Sequence, residues 1–206
     1  MQKSGEVGDY GFLWAWELLT PAEVGPILTN FKRPWWIAGG WAVDLFLGRE
    51  TRRHDDMDIA VLRGDQVALY QCLEGWDLQY ATPEHKLKIW DGRRLDLPIH
   101  GIWARRSREA TAPWTCELLL NEHREDSWVF RRDHAVALPL DEIGAETEGI
   151  PYLRPEIVLL YKAGESSPKN DRDFSLIRER LTQDQVRWFK NALAACYPMH
   201  SWIAQL

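Results

Sequence analysis

The 206-residue chain has few cysteines, few methionines, no long apolar run and no excess of positive charge. Its three cysteines, Cys72, Cys116 and Cys196, are odd in number, widely spaced and free of any Cys-x-x-Cys or Cys/His cluster. That excludes a readable disulfide framework or zinc site and fits free thiols in a reducing cytoplasm. No stretch reaches the roughly 18 apolar residues needed to span a bilayer. The N-terminus lacks the apolar core and small-residue cleavage site of a signal peptide, so no membrane association and a cytoplasmic location are expected. A net charge of −6 argues against a nucleic-acid binder relying on a broad basic face and suits a cationic small molecule better.

What the chain does hold is an ordinary globular composition, 45% hydrophobic and 27% charged, enough for one domain with a full core, with or without a helical extension. It also holds 12 tryptophans, most of them expected in or near the core because indole supplies a large area and one donor. Trp41, Trp103 and Trp114 lie close to the polar motifs, where a ring could instead stack on a base or sugar.

Apolar positions at helical spacing over 10–32 predict a helix, with Thr20-Pro21 as a cap followed by proline at a first helical position. Residues 35–38 predict a buried strand, Gly39-Gly40 a turn, and 41–47 a helix closed by Gly48. Further strands are expected at 57–62 and 76–80, with a helix from Asp65 to about Leu73 between them. Asp91-Gly92 predicts a hairpin joining 86–90 to 93–95, and the polar segment 121–126 separates strands at 114–120 and 127–131. From Arg154 the pattern turns helical, with helices from Pro155 to Ala163, from Asp171, and from Thr182 to near Pro198. The expected architecture is α+β, a mixed sheet with packed helices over 1–153 and a helical subdomain over 154–206.

Residues 36–60 carry the chemistry. Asp56 and Asp58 stand at i and i+2 of a predicted strand and so project to one face, with Asp55 on the other. Two carboxylates this close repel unless a cation lies between them, and hard oxygen ligands without cysteine or histidine favour Mg²⁺ or Mn²⁺. Gly39 and Gly40 remove Cβ atoms where backbone must approach a ligand, and the helix that follows offers unpaired N–H groups to an anion. His54 has no second nitrogen or sulfur ligand nearby and reads as a brace for the loop. Asp44 reads as structural, and Asp171 and Asp173 read as an N-cap and a first-turn acid. Lys162 on an apolar helix either snorkels to solvent or reaches a ligand.

The order Gly-Gly, helix, Asp-hydrophobic-Asp-hydrophobic resembles the DNA polymerase β-like nucleotidyltransferase superfamily. Gly39-Gly-Trp-Ala-Val-Asp44 followed by Thr51-Arg-Arg-His-Asp-Asp-Met-Asp58 resembles the aminoglycoside and lincosamide nucleotidyltransferases more closely. The likeness runs on through Trp128–Asp133, Gly149–Leu153, Pro155–Ala163 and Lys169–Phe174, covering roughly 34–175. It implies a third carboxylate on a neighbouring strand. Glu117 fits, in a strand-like run, with Asp96 as the rival, although 96–99 runs into Pro98 and reads as loop.

The resemblance implies that Asp56 and Asp58 bridge two Mg²⁺ ions and that Glu117 completes one of them. The metals would clamp an NTP, with ATP expected, while an acceptor hydroxyl attacks the α-phosphorus and pyrophosphate leaves. Glu117 is a candidate for the hydroxyl proton. Gly39, Gly40, Arg53 and Lys162 become the expected nucleotide contacts, with one of Arg52 and Arg53 left as a surface charge. The implied acceptor is a small molecule such as an aminoglycoside or lincosamide. Two other readings stay open. One is transfer to RNA or protein, for which Arg105-Arg106-Ser107-Arg108 and Arg131-Arg132 are the only basic candidates and otherwise read as solvated. The other is a non-catalytic nucleotide-binding module.

Overall fold

The computed structural model describes residues 15–206. The expected first helix therefore falls partly outside the described residues, and within them it starts only at Pro21. Helix α1 (Pro21–Ile27) opens where the Thr20 N–H and hydroxyl both donate to the Glu23 carboxylate, at 2.7 and 2.8 Å. Upstream of it Trp16 instead forms an isolated parallel bridge with Trp114.

The chain continues as β1 (Trp35–Ile37), α2 (Gly39–Leu47), β2 (Asp58–Leu62), α3 (Gln66–Cys72), β3 (Asp77–Ala81), β4 (Leu87–Ile89) and β5 (Gly101–Arg105). It then forms β6 (Cys116–Arg124), β7 (Ser127–Phe130), β8 (Asp133–Pro139), β9 (Gly144–Thr147) and β10 (Ile150–Leu153), followed by α4 (Pro155–Lys162), α5 (Pro168–Arg178) and α6 (Gln183–Cys196). The strands form one mixed sheet in the order β4-β3-β5-β6-β2-β1-β10-β9, with β7 and β8 continuing from β6. β2 runs parallel to β6, and β1 parallel to β10, so the centre of the sheet is buried and correspondingly apolar.

Helix α2 ends at Gly48, whose φ of 69° is the left-handed conformation that closes a helix without a Cβ penalty. Helix α4 is buried along Ile157, Val158, Leu159 and Leu160 and packs against α2, α5 and α6. Its side chains belong to the same apolar cluster as Ile37, Ile59 and Leu118 of the sheet. Phe174 stacks on Trp202 at 4.4 Å, which ties the last short helical turn to α5.

Three expectations change. The hairpin partner of β4 is β3, across the turn at 82–86. Residues 93–95 form no strand, because their backbone is bonded locally. Arg93 N–H donates to Asp91, the Trp90 indole donates to Arg93 O, and Leu95 N–H donates to Gln66. The polar segment 121–126 is mostly strand, with β6 running to Arg124 and turning at Glu125, whose φ is 53°. Asp171 does not cap α5. Ser167 does, accepting from Asn170 N–H, while Asp171 accepts the Trp202 indole at 2.8 Å.

Arg63 lies in the short 3-10 turn between β2 and α3, 5% exposed at its side chain, with Nη2 2.6 Å from Glu122 and Nη1 donating to Leu95 O at 2.9 Å. Arg63→Ala would strand a mostly buried carboxylate, so it is expected to cost about 3 kcal/mol, read as a lower urea midpoint at unchanged slope. The three cysteines are free. Burial pushes the Cys116 thiol up to about 12 and also raises Cys72 and Cys196, so none is an activated nucleophile. Among the described residues no helix is long and apolar enough to cross a membrane.

Candidate active site

Asp58 opens β2 and faces Glu117 of β6 in parallel register. Register-matched residues on adjoining strands share a face about 4.8 Å apart, so the two carboxylates are neighbours by backbone geometry alone. Asp56 stands nearby, but in the loop before β2 rather than on the strand. The ladder begins at Asp58, whose carbonyl accepts Ala38 N–H at 2.9 Å.

The electrostatics follow from this crowding. Asp58 is pushed up to about 7 by burial first and by the charge of Asp56 second, with Lys162, Lys169 and Arg52 pulling the other way. Glu117 rises to about 8, again by burial first and then by Asp58, opposed by a hydrogen bond from the Trp103 indole. Asp96, the rival third carboxylate, is exposed in a loop and paired with Arg94.

Both glycines are explained by side chains of the site itself. A Cβ on Gly39, whose φ is +58°, would stand 2.0 Å from Asp58 Oδ2, and one on Gly40 would stand 2.3 Å from Arg52 Nη2 and 2.5 Å from His54 Nδ1. A third glycine, not anticipated from the sequence, does the same for Glu117. A Cβ on Gly101 would lie 2.3 Å from Glu117 Oε1. The α2 N-terminus, with Ala38 at the cap and no side-chain bond there, leaves its first N–H groups beside Asp58.

Asp44 and His54 brace the loop that carries the acids. Buried Asp44 accepts from the Thr51 N–H and hydroxyl at 3.1 and 2.6 Å and lies 2.5 Å from His54 Nε2. The Trp41 ring lies against that imidazole at 4.3 Å. Trp114 is fully buried under Arg105 and in edge contact with Trp103, so it supports the sheet and offers no stacking face.

Asp58 forms one wall of a cleft of about 330 Å³ whose other walls come from β6, the β7–β8 turn, α4, the α4–α5 loop and the start of α5. Lys162, Lys169, Arg131, Arg132 and His100 line it together with Asp58 and Glu165. Lys162 does not snorkel. It is 12% exposed and its Nζ lies 2.9 Å from Asp173 Oδ2. Asp173, expected as a helix-end acid, is instead 1% exposed and also faces Arg52 Nη2 at 3.8 Å. Arg53 is exposed and does not line the cleft; Arg52 is the member of the pair that turns inward.

Sequence reasoning missed Arg131, whose guanidinium lies 5.3 Å from the Tyr161 ring, and His100, whose affinity for a proton is lowered by burial and by Arg131. Arg132 donates to Tyr161 O and to the Tyr197 hydroxyl. Arg105, read as a solvated charge, is buried against Asp77 at 2.7 Å and Trp114.

Among the described residues, no three His, Cys, Asp or Glu side chains are already gathered as a cation cage. The donor set still fits Mg²⁺, which usually takes one or two carboxylates and completes its shell with water and substrate phosphate. Asp58 and Glu117 supply that pair, and neighbouring carboxylate charge raises both, Asp56 acting on Asp58 and Asp58 on Glu117, as expected of acids with no cation between them.

The mixed sheet with its packed helices is a fold found among solved structures of other proteins. It is shared with the solution structure of the antibiotic-resistance factor ANT(2'')-Ia, at TM-score 0.56 and 17% identity over 86% of this chain and 90% of that one. It is shared equally with the lincomycin-bound lincosamide antibiotic adenylyltransferase LnuA, at TM-score 0.52 and 18% identity over 79% and 98%. Residues 22–96 match the family model of aminoglycoside-2''-adenylyltransferase. A 45-residue stretch is 49% identical to a 2''-aminoglycoside nucleotidyltransferase of Escherichia coli, covering 20% of this chain. That match spans a quarter of the relative's length, at 25%.

Proposed function

We propose that this chain is an Mg²⁺-dependent adenylyltransferase that moves AMP from ATP to a hydroxyl of an aminoglycoside- or lincosamide-like compound. The observation that carries the reading is Asp58, in matched register with Glu117, in the wall of a cation-lined cleft. Asp56, Asp58 and Glu117 would hold the metal. Bound Mg²⁺ would supply charge neutralisation at the triphosphate and a more acidic acceptor hydroxyl.

The chain's own residues do the remaining work. Lys162, Lys169 and Arg131 take the β- and γ-phosphates, and the α2 N-terminus adds its free N–H groups. The acceptor oxygen bonds to the α-phosphorus as the bond to the β-phosphate breaks, and that electron pair leaves with pyrophosphate. Glu117 accepts the hydroxyl proton. In this reading the division at 153/154 has a purpose: the sheet supplies the acids, and 154–206 supplies Lys162 and Lys169.

The test is transfer of label from α-³²P-ATP to lincomycin and to tobramycin with Mg²⁺ present. Labelled acceptor with one pyrophosphate per transfer is the expected result. Failure with every NTP and both acceptor classes would overturn the reading. Arg131→Ala is expected to raise KM for ATP about tenfold with a smaller effect on kcat, the loss of one charge-assisted contact.

A further inference from the structure

Three features lie outside the chemistry just described: the shallow groove beside Cys72, the Arg105–Asp77–Trp114 cluster, and buried Asp173. Nothing indicates a ligand for the first, and in the second Arg105 and Asp77 are buried on each other, leaving only the Trp114 indole N–H unpartnered. Asp173 differs, because one of its oxygens faces two cations from two separate parts of the chain. Lys162 comes from the end of α4 at 2.9 Å, and Arg52 comes from the loop that carries Asp56 at 3.8 Å. Arg172, next to it on α5, donates to Thr51 O of the same loop, so α5 is tied to that loop at a second point.

Lys162 and Asp58 line the same cleft. A lysine ammonium on four rotatable methylenes settles on the nearest unpaired anion, and the buried anions on offer are Asp173 and Asp58, since Glu165 on the cleft rim is exposed to solvent. Asp173 Oδ2 has no hydrogen-bond donor in good geometry, so its partners are the charges themselves. Asn170 adds only a 3.5 Å contact to the ammonium. Without the Asp173 charge, the ammonium would be left with Asp58 as its counter-ion, where it would compete with a divalent cation.

We propose that Asp173 is a positioning residue that holds the Lys162 ammonium away from Asp58, leaving the carboxylate pair open to a divalent cation and the ammonium free for phosphate. The role assigned to the ammonium rests on the nucleotidyltransferase reading, whereas the effect on metal affinity does not require it.

The test is titration of Mn²⁺ alone, followed by loss of the free-ion EPR signal, into wild type, Asp173→Asn, Lys162→Met and the double variant. Asp173→Asn is expected to weaken Mn²⁺ binding about tenfold, the loss of roughly 1.4 kcal/mol. Lys162→Met alone is expected to shift it less than about threefold, and adding Lys162→Met to Asp173→Asn should restore the lost affinity. A merely structural aspartate would give a loss that the second substitution does not repair. That result would overturn the proposal, as would equal binding by wild type and Asp173→Asn, no Mn²⁺ binding by wild type, or a large gain from Lys162→Met alone. If Asp173→Asn does not fold, the Lys162→Met titration still decides, because an ammonium already seated on the carboxylates would reveal itself there. The nucleotidyltransferase reading fails separately, when Mn²⁺ binds as expected and no nucleotide is consumed.

Discussion

Asp58→Asn is expected to give a protein that is inactive and, at alkaline pH without metal, more heat-stable than wild type. The two effects share one cause. Asp58 and Glu117 face each other across β2 and β6, and burial first, then the charge of Asp56 on Asp58 and of Asp58 on Glu117, lifts them to about 7 and about 8, against ordinary values of 3.8 and 4.5. A carboxylate whose pKa is raised by folding binds its proton more tightly in the folded chain than in the unfolded one. Stability from this pair is therefore greatest below about pH 4, falls as pH rises through the interval up to about 8, and is flat above it.

An amide at 58 removes one charge and with it most of the penalty. At pH 8.5 the variant should melt several degrees above wild type, at about 2–4 °C per kcal/mol for a chain of this size. The gap should narrow towards pH 5. Mg²⁺ should raise the melting temperature of wild type and leave the variant unmoved, while transfer activity falls on the order of a thousandfold. A variant that melts lower than wild type at pH 8.5 would show that the acids are not held as a strained pair.

The parts of this site that were legible in the sequence are those fixed by local chemistry. Gly39, Gly40 and Gly48 bracket α2, and Asp58 begins an apolar strand, so turn and period signals place them without tertiary knowledge. Glu117 was legible as a strand residue, but only the β2–β6 register sets it opposite Asp58. Strand β5 carried no alternation to detect, because Gly101, Ile102, Ala104 and Arg105 are all buried. Strand β8 lies mostly exposed and β9 is half-buried, so neither carries the buried apolar run that marks a strand in sequence.

The misread charges have one explanation. Arg105 and Arg131 look like solvated charges in a one-dimensional string and Asp173 like a first-turn acid, yet Arg105 and Asp173 are buried and Arg131 half-buried because a partner distant in sequence meets each: Asp77, Lys162 and Tyr161 respectively. Pairing of this kind leaves no periodic trace. The Arg52/Arg53 choice is similar, since both precede His54 and only the packing of Arg52 Nη2 against Gly40 selects between them.

Gly101→Ala is the second variant expected to have a large effect, and it separates geometry from chemistry because no reacting group is removed. The new methyl would stand 2.3 Å from Glu117 Oε1, closer than non-bonded atoms allow. Strand β5 is held on both sides, by β3 and β6, so the backbone has little freedom to retreat. The side chain of Glu117 must therefore move, and its bond from the Trp103 indole is disturbed with it. A displacement of about 1 Å at a reacting group costs on the order of a hundredfold, and that loss is expected in kcat with KM for ATP little changed. Gly39→Ala should be worse. Its Cβ would meet Asp58 Oδ2 at 2.0 Å, and the residue also sits at φ +58°, which costs a further 1–2 kcal/mol for any side chain. The informative comparison is the Mn²⁺ affinity of the two variants. If Glu117 and Asp58 hold the same ion, both substitutions weaken it, Gly39→Ala the more. If Gly101→Ala binds Mn²⁺ as wild type does while losing transfer, Glu117 serves the acceptor's proton rather than the metal. Wild-type transfer by Gly101→Ala would remove Glu117 from the site altogether.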